Sequence, residues 1–104
     1  MIYETLTYAI DRDVAVVTLN RPSVMNALNT QMRAEITHAM RQAGQAARVV
    51  VLTGSGRAFC SGQDLGAEGN FADIDLERTL KDEYVPMLKA ITECPSPEIG
   101  RAHV

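Results

Sequence analysis

Three things are missing from this sequence: a basic cluster, a long apolar run and a metal-binding pattern. Its 10 lysines and arginines are set against 13 acidic residues, for a formal net charge of −3, and nothing concentrates the positive charge. That argues against nucleic acid or an anionic membrane surface as a partner. No apolar stretch approaches the ~20 residues needed to span a bilayer. Met1-Ile2-Tyr3-Glu4 lacks the basic and apolar regions of a secretory leader, and the expected location is the cytoplasm. The two cysteines, Cys60 and Cys94, lie far apart without ligand spacing and read as buried thiols in a reducing compartment. His38 and His103 are the only imidazoles. His38 falls inside a predicted helix and reads as a surface or packing residue, and no cluster of His, Cys and carboxylates suggests a metal. With 46% apolar and 22% charged residues, the composition favours folding over disorder. A length of 104 residues fits one small domain or a piece of a larger one.

What is present reads as alternating strands and helices. Residues 3–10 alternate loosely and are rich in Tyr, Thr and Ile, which suits a strand. Asp11-Arg12-Asp13 is a polar turn, and residues 14–19 form a second strand, so the chain opens as a hairpin. Asn20-Arg21-Pro22-Ser23 ends it, because proline cannot donate to a ladder. Asn29 or Thr30 can cap the helix that follows. Met32, Ile36, Ala39, Met40 and Ala43 recur along it at helical spacing, with Gly44 weakening the last turn. The continuous apolar run 49–53 predicts a strand covered on both faces, as in parallel sheets. Strand, helix and strand make one β-α-β crossover. Residues 66–74 read as a loop. A second helical stripe runs through Leu76, Leu80, Tyr84, Met87, Leu88 and Ile91. Pro86 predicts a kink or break within 82–85, since it removes one helical hydrogen bond and crowds the preceding turn.

The densest signal is Val50-Val51-Leu52-Thr53-Gly54-Ser55-Gly56-Arg57-Ala58-Phe59-Cys60-Ser61-Gly62-Gln63-Asp64-Leu65. A β-branched strand stops at a glycine turn, and a cluster of small residues then brings bare backbone to the surface. Such backbone N–H groups are one way to build an oxyanion-binding site, and glycine lets a ligand approach closely. A dinucleotide fingerprint does not fit, because the third glycine would fall at Phe59 and no helix opens there. A nucleophile elbow does not fit either, because the glycine required two residues before Ser61 is again Phe59.

This stretch resembles the crotonase (enoyl-CoA hydratase/isomerase) pattern of an apolar strand, T-G-x-G-x-x-F and then x-x-G-x-D-L. Leu19-Asn20-Arg21-Pro22 and Met25-Asn26-Ala27-Leu28-Asn29 resemble the same family's N-R-P-x-x-x-N-A-L. The resemblance implies the N-terminal part of an α/β crotonase spiral of β-β-α units, truncated, with 1–97 as crotonase-like sequence. It also implies an enzyme, a lyase or isomerase of fatty-acid or phenylacetate breakdown, that stabilises a thioester enolate through a backbone oxyanion hole. The first donor maps onto the Gln63 N–H. The second is a glycine in a part of the pattern that this chain lacks. Val24, Ala27, Ser61, Gly62, Gln63, Asp64 and Leu65 map onto the path of coenzyme A and the acyl group. Coenzyme A is part of the substrate, so no separate cofactor and no metal are expected. The acid/base residues lie downstream in the family, and Asp64, Glu68 and Asp75 read as structural. Gln63 and Pro86 look closest to the branch that isomerises ring-epoxidised phenylacetyl-CoA. The full-length form is expected to be a homotrimer or homohexamer. The runner-up is a catalytically silent relative that binds coenzyme A or a partner. Residues 98–104 read as a non-native tail, because 99–104 can be back-translated into a string resembling the start of a common sequencing adapter.

Overall fold

The computed structural model describes residues 2–62, 76–94 and the backbone of 98–101; the loop predicted at 66–74 lies outside them. Strand β1 (Leu6–Asp11) turns through Arg12 and Asp13 into β2 (Val14–Leu19). Both turn residues have positive φ, 51° and 69°, as a two-residue hairpin turn requires if it is to follow the right-handed strand twist. Helix α1 (Thr30–Ala46) follows, then β3 (Val49–Gly54), α2 (Leu76–Thr79), a π-helical turn (Leu80–Tyr84), α3 (Val85–Thr92) and β4 (Glu98–Arg101). The sheet order is β1-β2-β3-β4. β1 runs antiparallel to β2, and β2, β3 and β4 are parallel. The segment read above as a non-native tail thus contributes β4, whose Glu98 lies opposite Val50.

Asn29 caps α1, its side chain accepting from the Met32 N–H at 2.8 Å. The predicted stripe Met32, Ile36, Ala39, Met40 and Ala43 is buried in full against Leu6, Ala15, Val17, Leu19 and Val50. Gly44 does not end the helix; it is itself buried.

Two expectations need correction. First, among the described residues β3 is fully covered on one face only. Val50 is fully buried, whereas Val49 and Val51, with their neighbours Val14 and Val16 on β2, are only partly covered. The described helices pack on one side of the sheet, so burial is complete at Val50 and partial at Val49, Val51 and Leu52. Second, the second helical stripe is rotated. Thr79, Met87 and Ala90 are buried, while Leu80 and Leu88 are 56% and 51% exposed. The reason is Arg33, buried within α1. Its Nε and Nη2 lie 2.9 and 2.7 Å from Glu83 Oε1, and its guanidinium sits 4.7 Å above the Tyr84 ring. Bringing Glu83 to that cation turns the leucines outward. The predicted break takes the form of the π turn, in which the Val85 N–H reaches back to the Leu80 carbonyl directly before Pro86, the residue that cannot donate. The two cysteines are free and partly buried rather than buried. His38 is exposed, its Nδ1 2.7 Å from the Tyr3 hydroxyl.

Glu35 has no solvent exposure. Burial alone would raise its pKa, yet the bonds donated by Gln31, by the Thr5 N–H and hydroxyl and by the Glu4 N–H outweigh it and hold the carboxyl below its ordinary value. Glu83 is likewise lowered: Arg33, Thr30 and Arg78 overcome the effect of burial.

Met87→Ala should destabilise the chain by about 2–5 kcal/mol, as for other buried large-to-small changes. Leu88→Ala should stay within about 0.5 kcal/mol. Urea denaturation with unchanged m-values reads both, and equal losses would contradict the rotation of α3. Because both glutamates have depressed folded pKa values, their stabilisation is complete above the ordinary carboxylate range of about 4. It is lost as pH falls through the folded values. Denaturation midpoints measured across that range should drop more steeply in the native chain than in Glu35→Gln; parallel curves would refute the assignment.

Candidate functional site

β2 and β3 end side by side, with Leu19 opposite Gly54, so the loops that follow leave the same edge of the sheet. Ligands of open α/β sheets commonly bind beyond the carboxyl ends of such strands. The first loop runs through a 3-10 turn at Pro22–Val24 and then places Met25 and Asn26 at φ 52° and 57°. The second folds back on its own strand. A Cβ at Gly54 would lie 2.5 Å from the Phe59 carbonyl oxygen, which no side chain can occupy.

Asn26 joins the two loops. It is fully buried. Its Oδ1 accepts from the Arg21 N–H at 2.7 Å, and its Nδ2 donates to the carbonyls of Ser55 and Ala58 at 2.9 and 2.8 Å. One amide therefore satisfies three backbone groups on two loops. A short backbone ladder continues the contact. The Ser61 N–H donates to the Met25 carbonyl at 3.0 Å, and the Leu28 N–H donates to the Gly62 carbonyl at 2.6 Å. The Ser61 hydroxyl donates to the Val24 carbonyl at 3.4 Å. Gly62 has φ 111°, and among the described residues nothing lies within 4 Å of where its Cβ would be. Glycine is needed here for its backbone conformation, not for lack of space. Ser61 and Gly62 are both exposed. The Leu28 carbonyl accepts from Arg33 Nη1 at 3.2 Å, which ties this edge to the helix pair below.

The Enoyl-CoA hydratase/isomerase family model matches residues 9–103. The chain belongs to that family. Among its relatives, a Rhodobacter capsulatus protein named as a probable enoyl-CoA hydratase is 56% identical over 100 residues, covering 96% of this chain and 38% of the relative. The 1,2-epoxyphenylacetyl-CoA isomerase of Escherichia coli is 32% identical over 95 residues, covering 86% of this chain and 36% of its own. A Magnetospirillum magneticum structure described as an enoyl-CoA hydratase/carnithine racemase superposes with a TM-score of 0.86 at 27% identity, over 98% of this chain and 40% of that one. The chain thus spans well under half the length of these relatives, and the described part has the crotonase fold expected from the motifs.

Of the expected site residues, Val24, Ser61 and Gly62 come together at the loop junction, with Val24 39% exposed. Ala27 is adjacent but buried, its carbonyl accepting from Arg21 Nη1. Gln63, Asp64 and Leu65 lie outside the described residues. Among the described residues no group of His, Cys, Asp and Glu could hold a metal, and no helix is long and apolar enough to cross a membrane. Sequence reasoning gave Asn26, Arg21 and Arg33 no role of their own. The first two stood inside a quoted motif. The third is an arginine within an otherwise apolar helix face, a signal that a buried partner was needed.

Asn26→Ala should cost about 1–3 kcal/mol, the penalty of buried backbone groups left without partners. Asn26→Asp should cost more, because a carboxylate would then face the Ser55 and Ala58 carbonyls. Chemical denaturation checks the order; an Asp variant as stable as the native chain would end the clamp interpretation.

Proposed function

We propose that this edge forms part of an acyl-CoA site in which the Gln63 N–H donates to the thioester oxygen and stabilises the enolate formed there. The observation that carries the reading is the bond from the Leu28 N–H to the Gly62 carbonyl. The peptide unit after Gly62 bears that carbonyl on one side and the Gln63 N–H on the other, and a planar trans unit directs the two oppositely. Anchoring the carbonyl inward therefore supports an outward-aimed donor. Removal of the proton α to a thioester places negative charge on its oxygen, where a preorganised donor is most effective. Val24, Ala27, Ser61, Asp64 and Leu65 would then border the coenzyme A and acyl path, and the acid/base groups would come from other sequence. Coenzyme A arrives with the substrate, and no further cofactor is invoked. Family resemblance supports a trimer, or a dimer of trimers, for the complete protein.

Gln63 and the Escherichia coli relative support isomerisation of ring-epoxidised phenylacetyl-CoA; the Rhodobacter capsulatus relative, by its name, supports hydration of an enoyl-CoA. Both substrates belong in the assay. In the complete protein, Gly62→Val should lower kcat by on the order of 100-fold, about the 3 kcal/mol lost with one oxyanion donor. Gln63→Ala keeps its N–H and should change acyl preference instead, and Cys60→Ser should change little. Normal kcat in Gly62→Val together with an inactive Cys60→Ser would replace this reading with thiol chemistry.

A further inference from the structure

We propose that Arg21 is a positioning residue of this site, its guanidinium heading a chain of hydrogen bonds that passes through two peptide units to the oxyanion donor. The proposal rests on the function proposed above. Arg21 Nη1 donates to the Ala27 carbonyl at 2.5 Å. The same peptide unit carries the Leu28 N–H, which donates to the Gly62 carbonyl at 2.6 Å. That carbonyl belongs to the unit whose N–H is that of Gln63. Because C=O and N–H of a trans unit point in opposite directions, the links run head to tail.

Direction matters here. A cation bonded to a carbonyl withdraws electron density from its own unit and makes the N–H at the other end a stronger donor. Chains of such bonds reinforce one another in a low-dielectric setting. The polarisation runs from positive charge at Arg21 toward the place where negative charge develops in the reaction. The start of the chain is also fixed. The Arg21 N–H donates to Asn26 Oδ1 at 2.7 Å, and its carbonyl accepts from the N–H groups of Asn26 and Val24 at 2.9 and 3.1 Å. Pro22 then restricts the next φ. Ala27 and Leu28 are buried, so the linking unit sits where such bonds are strong. Arg33 also touches Leu28, but through the carbonyl of the following unit, which lies outside the chain. Arginine suits the head position better than lysine, because its planar fork holds a carbonyl in a set direction.

The test is nuclear magnetic resonance on the labelled 104-residue chain, native and with Arg21→Met or Arg21→Lys. In Arg21→Met the Leu28 amide should exchange about tenfold faster or more, in line with loss of a charge-assisted bond. The Leu28 and Gln63 amide protons should move upfield, and the coupling between Leu28 nitrogen and Gly62 carbonyl carbon should fall, while β2 and β3 amides keep their native values. Arg21→Lys should lie between the two. If Arg21→Met does not fold, Arg21→Lys decides, with faster Leu28 exchange than native expected. Unchanged Leu28 and Gln63 resonances in either folded variant would overturn the proposal. A second arm uses the complete protein and infrared spectra of a carbonyl-labelled acyl-CoA. The bound thioester band should shift to lower frequency in the native protein and less in Arg21→Met. A native band that does not shift defeats the function proposed above, while the amide measurements still judge Arg21.

Discussion

Two loops leave adjacent parallel strands at the same edge of the sheet, and the carboxamide of Asn26 holds them together. Its three bonds to backbone are made without solvent exposure, so each would be missed if broken. Both loops need unusual backbone to reach it. Met25 and Asn26 are left-handed, and Gly54 lies where any side chain would strike the Phe59 carbonyl. Asparagine tolerates that backbone better than most residues and carries both donor and acceptor. With this junction set, the Ser61-Gly62 backbone can run beside residues 25–28.

The junction is tied to the helices by charge. Arg33 reaches the Leu28 carbonyl from inside α1 while holding Glu83 and stacking on Tyr84. A buried ion pair of this kind contributes little net stability. Here it selects one rotation of the α2–π–α3 segment over another that would bury more leucine. The exposed Leu80 and Leu88 are the consequence of that choice, and the π turn before Pro86 accommodates it. Glu35, two residues along α1 from Arg33, acts similarly, collecting the Glu4 and Thr5 amides just before β1 begins. Buried charges in this chain orient elements, and apolar contacts supply the cohesion.

Much of this was legible in the residues. The hairpin, the capped helix and the third strand follow from period and turn chemistry, because these are local effects. Every position of the predicted stripe on α1 is buried, because that side of the helix is covered by the sheet and by α3. Of the second stripe, Met87 lies in the core with Tyr84 and Ile91 packed against it, while Leu80 and Leu88 face out; a helix with apolar residues on two sides does not say which side packs. Among the described residues the run Val49-Val50-Val51 is fully covered at Val50 alone; continuous valine is compatible with one covered face or two.

By itself, the sequence determined the order of elements up to the second helical stripe, a cap at Asn29 or Thr30, an interruption within 82–85 and the family, because propensity, periodicity and motif spacing act over short distances along the chain. Tertiary structure alone decided which face of β3 is covered and how α3 is rotated. It also decided that Asn26, Arg21 and Arg33 hold the loops. Those outcomes depend on partners 29 to 50 residues away in the chain for Asn26 and Arg33. For Arg21, a close neighbour in sequence, the deciding factor was the bend that turns the Ala27 carbonyl toward its guanidinium. Buried polar groups must find partners wherever the fold places them, and that requirement is not written in any local pattern.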